Sequence, residues 1–143
     1  FVTQNRNRLL KEIDAFAERC VKGGDSKITR EQYLTMCESL GEEPNPEVLK
    51  RFVEIHDFPE IAQTALTIYN NLSDNYIPGD YPTYLGKDKS ALLVFFDVYG
   101  VEDPDEKSLI LQIINIFDSH AVAASRKRVE AAIKKSKMKS SNR

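Results

Sequence analysis

Apolar residues recur at helical spacing through most of the chain, which predicts an all-α fold of five to six helices. One apolar stripe covers residues 3–21 and ends at Gly23 and Gly24, and a second covers residues 29–40 and ends at Gly41. In the second stripe, Thr29 and Gln32 have the spacing of a capping box. The two stripes together predict a helical hairpin over residues 3–40.

Three later helix starts are marked by a capping side chain close to a proline, at Asn45, Asp57 and Asp103. A cap accepts hydrogen bonds from the free N–H groups of the first turn, and proline at the first position loses no hydrogen bond there. These signals predict helices over residues 46–72 and a last helix that begins at residue 104 and reaches residue 137. A further helix over residues 88–99 is predicted to have Asp88 as its cap.

The segment of residues 73–87 contains two prolines, two glycines and three tyrosines. Because Pro78 and Pro82 interrupt its β-prone residues, we predict an irregular loop and no strand. Tyrosine offers a large, stiff and amphipathic contact area. We therefore expect a partner protein to be bound by the three tyrosines, Tyr76, Tyr81 and Tyr84. The alternative is that the loop folds back and these rings cover the core.

Charge divides the chain into a helical domain of residues 1–124 and a basic extension of residues 125–143. Residues 31–124 hold seventeen acidic and five basic residues, whereas the extension holds eight basic residues and Glu130 alone. We expect the extension to be either a helical continuation of the last helix or a frayed tail. Its candidate contacts for nucleic acid or for an acidic protein are Arg126, Lys127, Arg128, Lys134, Lys135, Lys137 and Lys139.

Basic side chains neutralise phosphates and release counterions, so the extension could hold nucleic acid without reading its base sequence. No aromatic residue follows Phe117, which leaves no side chain in the extension for bases to stack on. Two further interpretations stay open. The charges could serve only to solvate the tail, or the tail could fold back and neutralise its own acidic domain.

No motif carries recognisable catalytic chemistry, and we predict a protein that is not an enzyme and that has no metal site and no cofactor. The turn after the first helix has the outline of a calcium loop but too few oxygen ligands. His56 and His120 have no second metal ligand at helical spacing, so we expect ordinary surface or boundary histidines. Cys20 and Cys37 lie at apolar helix positions and are predicted to be free, buried thiols.

Nothing in the chain predicts contact with a membrane. The longest uncharged apolar runs, at residues 91–96 and 109–117, are far shorter than the roughly 20 residues of a membrane span. No stretch has the pattern of a signal peptide. The sequence therefore predicts a cytoplasmic protein.

Five short motifs occur along the chain: ITREQY at residues 28–33, EP at 43–44, DFP at 57–59, YLGKD at 84–88 and FDS at 117–119. Together they resemble small helical proteins encoded by large tailed bacteriophages. The resemblance implies a non-enzymatic accessory or assembly protein of the host cytoplasm, either chaperone-like or a minor virion component, and it assigns no site residues. We therefore expect a protein-interaction module, the alternative being a protein that binds nucleic acid through its basic extension.

Overall fold

The structure is a computed structural model that describes residues 3–22 and 28–142. Within these ranges it contains six α-helices, two short 3₁₀ turns and one two-stranded sheet. The helices are α1 (Thr3–Lys22), α2 (Arg30–Leu40), α3 (Pro46–Leu49), α4 (Glu60–Asn71), α5 (Leu92–Val98) and α6 (Pro104–Ser141), and the strands are β1 (Asp74–Ile77) and β2 (Thr83–Lys87). The helix stop predicted at Gly23 and Gly24, and the last basic residue, Arg143, lie outside the described residues. The predicted helical character is confirmed, but the prediction of a strictly all-α fold is wrong.

The first half of α6 is the centre of the fold. Its apolar residues recur every three or four positions, and α1, α4 and β2 all pack against the face they form. The buried residues on this face are Leu109, Ile110, Ile113, Ile114 and Phe117. α1 runs parallel to α6, because Arg6 contacts Ser108 near the start of both helices and Asp14 contacts His120 further along.

The second half of α6 continues the same helix. α6 is 38 residues long, which corresponds to about 57 Å at a rise of 1.5 Å per residue. Asp103 accepts a hydrogen bond from the N–H of Asp105, and Pro104 takes the first helical position, so this predicted start is confirmed. The basic extension is therefore helical as far as Ser141 and is not frayed within the described residues.

One 18-residue window of α6 meets the length and hydropathy criteria for a membrane span, with a mean hydropathy of 1.2. A third of that window is buried inside the fold. The buried face of α6 packs against α1 and α4.

The predicted loop at residues 73–87 contains an antiparallel β-hairpin, which corrects the prediction of an irregular segment. β1 pairs with β2, and the register passes from Asn75–Gly86 to Tyr76–Tyr84, so that Leu85 has no opposite residue. This extra residue is a β-bulge. Pro78 and Pro82 lie in the turn between the strands, where a missing N–H costs no ladder hydrogen bond.

Helix starts are confirmed only in part. Thr29 and Gln32 form both bonds of the predicted capping box, and Asn45 caps α3. Asp57 is not a helix cap: its carboxylate accepts the N–H of Glu54 in a 3₁₀ turn, and α4 begins three residues later. Asp88 likewise accepts the N–H of Ser90 in a turn that precedes α5. Helix α3 ends after one turn, so the predicted continuous helices over residues 46–72 are replaced by α3, the two 3₁₀ turns and α4.

At Gly86 the backbone of the hairpin approaches α6 very closely. The φ of Gly86 is +103°, and a Cβ added at this position would lie 2.5 Å from a carboxylate oxygen of Asp118. Only glycine combines this backbone conformation with so close an approach. The sequence pattern indicates a turn residue here, but the glycine lies inside β2 and makes room for a buried carboxylate.

Replacing Gly86 by Ala should lower the free energy of unfolding by about 2–6 kcal/mol, because a left-handed backbone and an overpacked contact each cost about 1–3 kcal/mol. Urea denaturation followed by circular dichroism measures the loss. The control is Gly79→Ala, since no heavy atom lies within 4 Å of the added Cβ there. It should change the free energy by less than about 0.5 kcal/mol. Equal losses in the two variants would contradict this role of Gly86.

Candidate functional site

The base of the hairpin is held together by a small polar network. The Tyr84 hydroxyl donates to Oδ1 of Asp74 at 2.8 Å, and the Lys87 ammonium lies 2.9 Å from the same oxygen. Lys87 also donates to the carbonyl of Leu72 at 3.2 Å, and it lies 5.1 Å from the centre of the Tyr69 ring. The network links both strands of the hairpin to the end of α4.

A second polar contact fixes the hairpin to α6. Asp118 is only 7% exposed, and its carboxylate accepts the backbone N–H of Lys87 at 2.9 Å. Its other oxygen lies 3.0 Å from the ammonium of Lys89. Burying a carboxylate is costly unless it is paired and hydrogen-bonded, and these two donors from the same short segment meet that requirement. The position of β2 on α6 is therefore set by charge as well as by packing.

The network keeps its two tyrosines neutral. Burial, followed by the hydrogen bond to Asp74, raises the pKa of Tyr84 far above its usual range, and burial also raises the pKa of Tyr69. Hydrogen bonds from Lys87 and then Tyr84 lower the pKa of Asp74. A neutral phenol is a hydrogen-bond donor and a poor nucleophile, so the arrangement stabilises the hairpin and does not activate a reactive group.

A polar cleft of about 310 Å³ opens between the hairpin, the end of α1 and α6. The structure thus brings Tyr76 and Tyr84 together with Arg128, the third residue of the predicted basic set. Tyr81 does not line this cleft and lies in the hairpin turn, 38% exposed. The lining residues are Cys20, Val21, Tyr69, Asp74, Tyr76, Tyr84, Lys87, Ala121, Ala124, Ser125 and Arg128.

The three predicted tyrosines have different environments. Tyr84 is partly buried and hydrogen-bonded, whereas Tyr76 is 56% exposed and its ring centre lies 5.1 Å from that of Tyr84. Tyr76 and Tyr81 therefore present contact area to solvent, while Tyr84 serves mainly to hold the hairpin together. The interpretation as packed rings describes Tyr84, whereas a partner contact by Tyr76 and Tyr81 stays a prediction.

The predicted basic residues lie along the exposed second half of α6. Arg126, Lys127, Arg128, Lys134, Lys135, Lys137 and Lys139 are all exposed. None of them forms an ion pair with another described residue. The proposal that the tail folds back onto its own domain does not describe this structure, because these residues continue a single helix.

Sequence reasoning missed Asp118, Lys87 and Lys89. A signal for Asp118 exists: it follows Ile110 and Ile114 at steps of four, so a carboxylate falls within the apolar stripe of α6. A charged residue on a buried face requires a partner. The identity of that partner could not be inferred, because Lys87 and Lys89 lie about thirty residues earlier in the chain.

The histidines and cysteines do not converge on a metal site within residues 3–22 and 28–142. These residues contain no group of three or more His, Cys, Asp or Glu side chains that could hold a metal ion. His56 is exposed beside Glu54, whereas Nε2 of His120 lies 2.7 Å from Asp14. Cys37 is free and buried as predicted, but Cys20 is free and exposed, which corrects the prediction of a buried thiol.

A larger groove of about 610 Å³ lies between α1 and residues 47–59. Its floor includes Val53 and Phe58, and its rim carries charges of both signs. The Arg19 guanidinium donates to the carbonyl of Lys50 and so ties α1 to this segment.

Comparisons of the chain with models of protein families, with curated proteins and with solved structures found no match.

Replacing Tyr84 by Phe should lower the free energy of unfolding at pH 8 by about 1 kcal/mol, because one hydrogen bond is lost. The difference from the wild type should then shrink above about pH 10, the usual pKa of tyrosine. The reason is that Tyr84 stays neutral in the fold while the unfolded chain ionises, so the wild type loses stability as the pH rises.

Urea denaturation at several pH values between about 8 and 11 measures this difference. Tyr81→Phe is the control, since it removes a phenol outside the network, and its free energy of unfolding should follow that of the wild type throughout. A constant difference between Tyr84→Phe and the wild type across this pH range would contradict the role assigned to Tyr84.

Proposed function

We propose that the chain is a non-enzymatic protein-interaction module whose contact surface is formed by the exposed apolar and aromatic residues of the β1–β2 hairpin. The observation that carries the proposal is an exposed group of aromatic and aliphatic side chains on an element fixed at its base. Tyr76 and Leu85 are each 56% exposed, Ile77 is 53% exposed, and Tyr81 lies in the turn between the strands. We call these four residues the hairpin surface.

The base of the hairpin supports this proposal. Asp118 holds β2 from α6 and Asp74 links β1 to Tyr84 and Lys87, so the hairpin surface is presented by an ordered element. An ordered surface loses little conformational entropy when a partner binds. Tyrosine is enriched at protein interfaces, and exposed apolar side chains that lie close together are typical of such interfaces.

The surrounding charge indicates the kind of partner. Residues 31–124 hold seventeen acidic and five basic residues, so the body around the hairpin favours a partner with a basic rim. The resemblance to phage proteins suggests an accessory, assembly or virion-associated role in the host cytoplasm. The network of neutral tyrosines and paired carboxylates agrees with a protein that binds and does not catalyse.

The double variant Tyr76→Ser, Tyr81→Ser should reduce affinity for a purified partner at least about tenfold, because exposed aromatic anchors carry much of the energy of an interface. Partners are identified by affinity purification from the native host and each affinity is then measured by calorimetry with the purified proteins. Tyr84 is kept, since its loss would disturb the hairpin itself.

A matched control is Met36→Ser, Leu40→Ser, which replaces two exposed apolar residues on α2. Circular dichroism should show unchanged helix content in both variants. The proposal fails if the hairpin variant binds as tightly as the control, or if both variants lose affinity equally.

The second candidate function is binding of nucleic acid by the second half of α6. It is favoured by the seven exposed basic residues between Arg126 and Lys139, which face solvent with no acidic neighbour paired to them among the described residues. Only Glu130 offsets them in this stretch. Contacts of this kind would be made to phosphates, since no aromatic residue lies in the extension.

If this second function holds, affinity for duplex DNA should fall steeply with salt, by about 0.9 log units per contacted phosphate for each log unit of salt concentration. Fluorescence anisotropy between about 50 and 200 mM salt measures the slope. Lys134→Gln, Lys135→Gln should reduce the slope by about two. Weak binding with a flat salt dependence, in the wild type and the variant alike, would exclude nucleic-acid binding as the function.

A further inference from the structure

Opposite charges are concentrated around the start of α6 and along its second half. The acidic end, residues 97–106, contains Asp97, Glu102, Asp103, Asp105 and Glu106 and no basic residue. The basic end, residues 126–139, contains seven basic residues and Glu130. None of the five acidic side chains forms an ion pair with another described residue. Neither end is therefore neutralised by ion pairs among the described residues.

The two ends cannot meet within one chain. Glu106 and Lys139 belong to one continuous helix and are separated by about 50 Å at 1.5 Å per residue. This distance is several times the screening length of about 8–10 Å at physiological salt. The basic residues closest to the acidic end are already engaged. Arg6 donates to Ser108 and Gln112, and Lys107 lies 5.9 Å from the centre of the Phe96 ring.

The acidic end also carries an uncovered apolar face. Leu93 is 74% exposed, Val94 63% and Val98 69%, all on α5. Leu93 lines one cavity of about 240 Å³ together with two acidic residues, Asp97 and Glu102, and one basic residue, Lys107. An apolar patch rimmed by acidic groups is complementary to a helix that presents lysine and arginine together with apolar side chains.

The basic end is a helix of that kind. Its basic residues lie on an arc that leaves Val129, Ala132 and Ile133 on the opposite side of the helix. These three residues are partly exposed, and Met138 near the end is 61% exposed. The basic end therefore matches the acidic end in both charge and apolar character. Every copy of the chain carries both ends, so a second copy can supply the matching helix.

We propose that the chain forms an antiparallel homodimer in which the acidic end of each copy binds the basic end of the other. A two-fold axis across the middle of the paired α6 helices makes both contacts at once, so the assembly closes at two copies. Two like-charged basic ends are kept apart in this arrangement, whereas a parallel pair would bring them together. The hairpin surface is not used, so the proposal is independent of the proposed function.

Charge reversal tests the dimer with the full chain. The acidic-end variant is Asp97→Lys, Glu102→Lys, Glu106→Lys, and the basic-end variant is Lys127→Glu, Lys134→Glu, Lys135→Glu, Lys137→Glu, Lys139→Glu. Sedimentation equilibrium at about 50 mM salt should give a dimer for the wild type, and each variant alone should dissociate at least about tenfold more readily. An equimolar mixture of the two variants should recover a heterodimer, because one has two basic ends and the other has two acidic ends.

Two further measurements test the dimer, one with an apolar variant and one at raised salt concentration. Val94→Ser, Val98→Ser should weaken the wild-type dimer at least about tenfold without loss of helix content, and raising the salt concentration to about 500 mM should weaken it as well. The proposal is overturned by a wild type that is monomeric at every concentration, or by variants that dimerise like the wild type. It is also overturned by a mixture that does not recover the dimer, by assemblies larger than a dimer, or by association that disappears on nuclease treatment.

Discussion

Burial of the apolar face on the first half of α6 is the interaction on which the rest of the fold depends. Ile113 and Ile114 are fully buried there, and burial of one such side chain contributes about 1.5–3 kcal/mol relative to exposure. Three elements from distant parts of the chain, α1, α4 and β2, take their positions from this face. The ends of the same helix lie outside the core, which leaves the acidic and basic ends available for contacts.

Asp118 lies at the edge of that face and fixes the position of β2 on α6 through specific polar contacts. A carboxylate on a buried stripe costs free energy, and the N–H of Lys87 together with the ammonium of Lys89 offsets this cost. Gly86 admits the carboxylate because it has no side chain. A two-stranded hairpin is marginal by itself in water, so this attachment explains how a short hairpin can present the residues of the hairpin surface in an ordered form.

Local signals were sufficient for much of the helical part of the fold and insufficient for the hairpin. The capping box at Thr29 and the start at Asp103 depend on residues two or three positions apart, and both occur as predicted. Asp57 and Asp88 show the same pattern but bond within turns, because a single capping residue does not specify how long the following helix is. The hairpin depends on Asp118, thirty-one residues from Lys87, and no local pattern indicates such a pairing. Within the site, exposure of Tyr76 could be anticipated, but the polar role of Tyr84 could not.

Native-state hydrogen exchange at single-residue resolution tests most directly whether the hairpin and the core of α6 form one cooperative unit. We expect the amide of Lys87, which donates to Asp118, to exchange only through global unfolding. Its free energy of opening should then equal that of the amides of Ile113, Ile114 and Phe117. If the Lys87 amide exchanged orders of magnitude faster than those of α6, the hairpin would open independently of the core. That result would contradict the central role of the Asp118 attachment.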